Sequence, residues 1–241
     1  MTSDSALILG GSGGIGAAVT RRLSVNHAVA IGYQSREDRA VALAEELELQ
    51  ARAVALVRSD VTTEKGVDEA FAAAEAIGTL KVVVHCVGGW DFPRLADLTG
   101  DDIDRSLALN LRSALLVLRE SARRIADDGR IVLLSSAAAT LAPARQSTYA
   151  AAKAGLEAAA RVAAKELAGR RVAVNVVRPG ATDTQTLHDT TSPRAIEAMT
   201  TANARRRLGL PDDVAEAVLM LCRPGSGWVT GAVLDASGGL Q

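Results

Sequence analysis

The chain has 241 residues, 48% of them hydrophobic and 23% charged, with 27 Lys and Arg against 28 Asp and Glu for a formal net charge of −1. That length suits one large α/β domain with a substantial core, and the even charge balance excludes a general attraction to nucleic acid or to an anionic membrane surface. No basic region leading into an apolar signal core opens the sequence, and no apolar run approaches the roughly 18 residues of a membrane span, so a soluble, cytoplasmic protein is expected.

In chain order, a first strand is predicted at 6–9, and it runs into Leu7-Ile-Leu-Gly-Gly-Ser-Gly-Gly-Ile-Gly16, which opens a helix. Gly10, Gly14 and Gly16 let the chain turn tightly and approach a pyrophosphate, and the helix N-terminus behind them favours negative charge. Glycines also make ordinary tight turns, but strand, loop and helix stand here in the order that dinucleotide binding requires. The second strand, 28–33, ends in Ile31-Gly-Tyr-Gln-Ser-Arg36. Tyr33 stands where NAD-binding proteins place a carboxylate for the ribose hydroxyls. Ser35 and Arg36 suit a 2′-phosphate instead, so NADP(H) is favoured and NAD(H) stays open; alternatively, Arg36 merely begins the solvated helix predicted at 37–49.

A third strand at 53–57 leads to Ser59-Asp-Val61, where Asp60 is placed either to accept from an adenine amine or to cap the helix predicted at 64–77. Further strands are predicted at 82–86, 130–134, 172–176 and 232–234, and further helices at 103–126, 147–168 and 212–221. Alternating β and α units with uniformly apolar strands predict a parallel sheet covered on both faces: one doubly wound Rossmann domain of seven strands over residues 1–241. The stretch 182–207 breaks the rhythm with Pro193 and Arg205-Arg-Arg207, and reads either as a substrate lid or as a solvated excursion. Cys86 and Cys222 lie in apolar runs and read as buried free thiols in a reducing compartment. His27, His85 and His188 are scattered, so no metal site is expected.

Tyr149 and Lys153 lie one helical turn apart in the segment 147–155, on one face of the predicted helix. A lysine about 4 Å from a phenol, at an effective dielectric near 20, contributes roughly 4 kcal/mol, enough to draw a tyrosine pKa from about 10 towards about 7. A tyrosine tuned in that way is a general acid/base at neutral pH.

Together these motifs resemble the short-chain dehydrogenase/reductase family, of the type that includes 3-oxoacyl-carrier-protein reductases. The resemblance runs from the Gly10–Gly16 loop to the ending Val229-Thr-Gly-Ala-Val-Leu-Asp235. It implies a catalytic set of Asn110, Ser136, Tyr149 and Lys153, with Pro179 and Gly180 beside the nicotinamide and Thr184 at its carboxamide. Hydride transfer to a carbonyl would be assisted by Tyr149 as proton donor and by Ser136 on the same oxygen. Lys153 would lower the Tyr149 pKa and hold the ribose, and Asn110 would hold a relay water. The cofactor set expected is Gly10, Ser12, Gly13, Gly14, Ile15, Gly16, Tyr33, Gln34, Ser35, Arg36, Asp60, Val61, Val87, Gly88, Tyr149, Lys153, Pro179, Gly180, Thr182 and Thr184.

Substrate contacts are expected from Trp90, Phe92, Leu141 and Leu187, with Arg145 and Gln146 orienting a polar group. The substrate is a small-molecule or acyl-thioester carbonyl, and Arg205–Arg207 suit an acidic carrier or an acyl-CoA phosphate, or else form a solvated face. The resemblance further implies a homotetramer, or a homodimer, built on the helices at 103–126 and 147–168 and on the last strand. Three departures stand out. Leu9 replaces a threonine that braces the glycine loop, Gln34 stands where NADP-preferring relatives carry arginine, and His85-Cys86 replaces a pair of amides. A NADP(H)-dependent carbonyl reductase is the leading reading; an NAD-dependent alcohol dehydrogenase and a catalytically silent dinucleotide-binding sensor or subunit are the alternatives.

Overall fold

The computed structural model describes residues 4–50, 52–90 and 93–240. Seven strands form one sheet: β1 (Asp4–Leu9), β2 (Ala28–Tyr33), β3 (Val54–Arg58), β4 (Thr79–His85), β5 (Arg130–Leu134), β6 (Ala173–Pro179) and β7 (Val233–Ala236). Their order is β3-β2-β1-β4-β5-β6-β7, and every pairing is parallel. The chain winds outward from β1 to β3, then returns to β4 on the other side. That reversal opens a crevice at the carboxyl ends of β1 and β4, where ligands of open α/β sheets bind.

Strand side chains alternate between two faces, and each face has its own core. Leu7, Leu9, Val83, Ile131, Leu133 and Val174 meet α3 (Glu64–Ala76), α5 (Ser113–Arg124) and α7 (Ser147–Glu166) through residues such as Phe71, Val117 and Leu156. Ala6, Ile8, Val29, Ile31, Val82 and Val132 meet α1 (Gly14–Leu23), α2 (Glu37–Glu48) and α10 (Pro211–Cys222) through Val19, Leu43 and Val218. Both faces are apolar because both are covered, which is why the strands read as continuous hydrophobic runs.

The predicted strands coincide with these within a few residues at each end. One predicted helix does not. The stretch 103–126 is broken into α4 (Gly100–Leu107), a π turn at Ala108–Arg112 and α5. The Asn110 amide donates to Ser106 O at 3.0 Å, and the Ser113 N–H reaches back five residues to Ala108 O. That wide turn is the local cause of the break. The excursion at 182–207 folds into α8 (Gln185–Thr190) and α9 (Pro193–Ala202), with α6 (Ala138–Leu141) across the crevice. Its base is closed by a bridge between Thr182 and Gly209, with Asp183 N donating to Gly209 O at 2.7 Å and Gly209 N to Ala181 O at 2.9 Å. No helix among the described residues is long and apolar enough to cross a membrane.

Candidate active site

The glycine loop is shaped by close backbone approach. Gly10 has φ +73°, and a Cβ on Gly16 would lie 2.0 Å from Gly10 O, so no side chain fits there. The first turn of α1 carries no acidic residue, which leaves its N–H groups to an external anion. Leu9 offers no hydroxyl and is fully buried in the core. The brace comes instead from Thr20, whose hydroxyl bonds Gly11 O at 3.1 Å and Gly16 O at 2.8 Å. Its place one turn beyond Gly16 in α1 gives the sequence signal that was missed.

A cavity of about 520 Å³ begins at this loop and runs over the carboxyl ends of β4, β5 and β6. Of the predicted residues it gathers Gly10, Gly13, Gly14, Ile15 and Gly16 from the loop and Val87, Gly88 and Trp90 after β4. From the other wall come Ser136, Leu141, Gln146, Tyr149 and Lys153, then Pro179, Gly180, Thr182, Thr184 and Leu187. Thr184 caps α8 by accepting from Leu187 N at 3.2 Å. Its methyl would stand 2.7 Å from a Cβ on Gly14, so the start of the excursion rests against the glycine loop. The rest of the wall, including Met199 on α9 and Leu240 near the C-terminus, was not anticipated. Phe92 lies outside the described residues, and Arg145 is not among the lining residues.

Tyr149 and Lys153 converge on the cavity from α7, and both are buried. Ser136 comes from the end of β5; its Oγ accepts from Ala138 N at 3.2 Å, and the hydroxyl is close enough to the Tyr149 phenol to bear on its pKa. The expected effect of lysine on tyrosine is corrected here. The Lys153 ammonium donates to Leu134 O at 2.9 Å and approaches Val87 O at 3.5 Å, and it lies 5.8 Å from the Tyr149 ring centroid. Burial therefore dominates at the phenol and raises its pKa, with the neighbouring Ser136 hydroxyl acting the other way. Burial also pushes Lys153 down, to about 8.

Asn110 lies behind this wall in the π turn. Its Oδ1 accepts from Gly89 N at 3.1 Å while its Nδ2 donates to Gly89 O at 2.9 Å. The amide thus clamps the loop after β4 beside Lys153: a Cβ on Gly88 would meet Lys153 Nζ at 2.9 Å and Asn110 Oδ1 at 3.1 Å. His85, in the place of a family amide, is fully buried and bonds Ser113 Oγ through Nε2 at 3.1 Å. Burial and the nearby Lys153 charge hold it down to about 3, so it is neutral at working pH. Cys86 borders the cavity, with its thiol pushed up to about 12 by burial.

One buried group behind the site was not anticipated. Glu157 continues the Tyr149–Lys153 ridge of α7 by four residues, and accepts from Ser135 Oγ at 2.7 Å and from Arg178 Nε and Nη2 at 3.0 and 2.8 Å. This carboxylate fastens the helix to the ends of β5 and β6, next to Ser136. Its spacing from Lys153 was visible in the sequence; its partners were not.

The remaining cofactor candidates do not line the cavity: Ser12 stays in the glycine loop, and the others lie around the ends of β2 and β3. Ser12 is half-buried, Gln34 and Ser35 are exposed, and Arg36 is half-buried at the start of α2. Tyr33 is buried, and burial together with the nearby Glu37 charge raises its phenol pKa. Asp60 does not cap α3. Thr63 does, through Gly66 N at 3.0 Å, while Asp60 Oδ1 accepts from Thr62 N and Oγ1 at 3.0 and 2.6 Å. Val61 turns its side chain into the core. Arg58, paired in register with Tyr33, donates to Gln34 O at 3.3 Å and adds a guanidinium to this end of the crevice. Arg206 bonds Thr201 O and Arg207 pairs with Asp213, so these two cations are engaged by the protein itself. No group of three acidic, His or Cys residues among the described residues could hold a metal.

Residues 10–241 match the sequence family described as enoyl-(acyl carrier protein) reductase. The short-chain dehydrogenase/reductase FrzI of Cladobotryum sp is 35% identical, covering 98% of this chain and 95% of its own length. A short-chain dehydrogenase from Burkholderia cenocepacia J2315, solved in complex with NADP, superposes with a TM-score of 0.91 at 35% identity, over 98% of this chain and 96% of that one. The promiscuous reductase LugOII, described as catalysing a keto-reduction, superposes with a TM-score of 0.91 at 33% identity, over 99% of this chain and 98% of that one.

Proposed function

The chain belongs to the short-chain dehydrogenase/reductase family, and from that premise we propose that it is an NADP(H)-dependent reductase that converts a carbonyl to an alcohol, with Tyr149 as the proton donor. The observation that carries the reading is the convergence of Ser136, Tyr149 and Lys153 at one end of a cavity whose other end is the glycine loop. The residues present suit a dinucleotide. The loop tolerates no side chain at Gly16, the α1 N-terminus is free of carboxylates, and the crevice lies at the sheet's switch point. The loop and α1 would hold the pyrophosphate, with Pro179, Gly180, Thr182 and Thr184 bordering the nicotinamide. When bound, NADPH supplies the hydride for the carbonyl carbon.

The chain's own residues manage the oxygen. Ser136 Oγ accepts from Ala138 N–H, which leaves the hydroxyl proton to point at the phenol and at a carbonyl oxygen seated beside it. Tyr149, kept protonated by burial, holds the proton that reduction consumes. As the oxygen gains negative charge, both hydroxyl donors favour it in a site shielded from water. Lys153 has part of its ammonium bonded to Leu134 O, and the rest serves the ribose and the phenolate left behind. Asn110 holds Gly89, and with it the floor beside Lys153.

NADP(H) is favoured over NAD(H) because Tyr33 replaces a carboxylate and because Arg36 and Arg58 flank Gln34 and Ser35. Residues 182–207 act as the lid over the substrate. A homotetramer or homodimer through α5, α7 and β7 would cover Leu115 and Val162, which stand 46% and 55% exposed on the outer faces of the two helices; a monomer mass by light scattering at micromolar concentration counts against it. The deciding experiment follows absorbance at the nicotinamide band with NADPH and NADH over a panel of ketones, aldehydes and thioesters. Turnover that prefers NADPH and falls by about 10²–10⁴-fold in Tyr149→Phe supports the reading; absence of binding of either cofactor sinks it.

A further inference from the structure

Resting on that reductase reading, we infer that the substrate is an uncharged ketone borne on a flat, largely hydrocarbon ring system, and that acyl thioesters and other anions are excluded. Beyond Tyr149 the cavity wall is made by Trp90, Leu141, Leu187, Met199 and Leu240, with Gln146 as the largest polar side chain facing them. Among the described residues, Lys153 is the one cation of the lining, and no carboxylate joins it. That ammonium is directed to Leu134 O at 2.9 Å and Val87 O at 3.5 Å, away from the apolar wall. An anionic substrate would give up its hydration against this wall and receive no counter-ion in return.

Nor does the basic cluster at 205–207 supply the cavity with a group for a phosphate-bearing carrier. The cluster at 205–207 does not line the cavity, and Arg207 is held by Asp213 through two bonds of 2.5 and 3.0 Å. Leu141, 44% exposed, presents an apolar rim instead.

Shape follows from the aromatic pair. The Trp90 and Tyr149 ring centroids are 5.9 Å apart and the planes are inclined by 57°. A carbonyl that reaches the phenol hydroxyl must carry its substituent past the indole, where a ring makes an offset or tilted contact that a thin chain cannot fill. Met199 closes the far side from α9 with an unbranched, adaptable side chain suited to flat ligands of differing outline.

The test measures binding and turnover separately on the full chain. With saturating NADP⁺, calorimetric titration compares β-tetralone, its ring-carboxylated analogue, a straight-chain ketone of equal carbon number and acetoacetyl-CoA. The same four are then offered with NADPH. β-Tetralone is expected to bind at least tenfold more tightly than either anion and more tightly than the chain. Trp90→Ala should remove the preference for the ring over the chain, and Met199→Arg should bring the carboxylated analogue level with the neutral one. Binding of an anion as tight as that of β-tetralone, or no binding of β-tetralone, overturns the substrate class. NADPH consumption with acetoacetyl-CoA ahead of β-tetralone overturns the class and leaves the reductase reading intact. Selective binding of β-tetralone with no NADPH consumption by any ketone supports the class and overturns the reductase reading.

Discussion

The two ends of the crevice are held in different ways. At the catalytic end the polar side chains are buried and tied from more than one side: Lys153 by Leu134 and Val87, Asn110 by Gly89 and Ser106, Glu157 by Ser135 and Arg178. At the outer end, by β2 and β3, Gln34 and Ser35 are exposed, Arg58 reaches Gln34 O, and Asp60 is bonded to Thr62 within its own turn. Chemistry depends on fractions of an ångström, so the first end is over-determined. Recognition of one ribose substituent depends on a few exposed charges, which can change at little cost to the fold. The catalytic end is therefore the stable part of the design and the outer end the adjustable one.

The largest break in that comparison should come from the loop that joins the two ends. Gly16→Ala puts a methyl 2.0 Å from Gly10 O and must distort the loop at about 1–3 kcal/mol or more. NADPH affinity measured by fluorescence should fall at least 100-fold. Gly100→Ala, with nothing within 4 Å of its Cβ, should leave affinity unchanged.

Next in size is Glu157→Gln, which removes the close charge partner of the Arg178 guanidinium and leaves Asp235 at 3.9 Å, at about 3 kcal/mol. Urea unfolding should show that loss. If the clamp positions Ser136 and α7, kcat should also fall by about tenfold, with NADPH affinity unaltered. Equal activity in the variant would reduce Glu157 to a stabilising pair.

The buried lysine gives a smaller effect, with a sign. Its folded pKa is about 8, below its ordinary 10.5. Its contribution to stability is thus fully present above the ordinary value and is lost as pH falls through about 8. Lys153→Met should therefore be at least as stable as the native chain at pH about 7, while losing most activity. In the native protein, reduction should decline as pH rises through about 8, because the ammonium discharges. A reduction rate that stays flat through that range would remove the cation from the mechanism.

Smallest is Arg58→Ala, which should weaken NADPH about tenfold, or ~1.4 kcal/mol, and leave NADH untouched. Equal loss for both cofactors would sharpen the contrast the other way, by making the outer end structural.

The same contrast explains what could be read from the sequence. The strands were legible to within a few residues because both faces of the sheet are covered and the strand centres are apolar runs. The expected lining of the cavity was legible at most positions because the glycines and Ser136 lie at strand ends and Tyr149 and Lys153 share the face of α7 turned to them. The direction of the Tyr149 pKa was not. One-turn spacing places two side chains on one face, but it does not say that the ammonium will turn to Leu134 O instead of the phenol. The break in the helix at 108–112 was invisible for a similar reason. Asn110 competes for the Ser106 carbonyl only once Gly89 has fixed its other end. Arg58 and Glu157 depend on parallel register and on tertiary partners, which no local pattern encodes.

The π turn also sets the phase of everything after it. Each residue of a helix advances the azimuth by about 100°, so one extra residue in a turn rotates all later side chains together. Val117 in the core and Leu115 on the outer face keep their stations because Ala108–Arg112 supplies that offset. A single deletion within those five residues acts as a turn of the whole shaft of α5, aimed at the core, the amide clamp and the outer face at once.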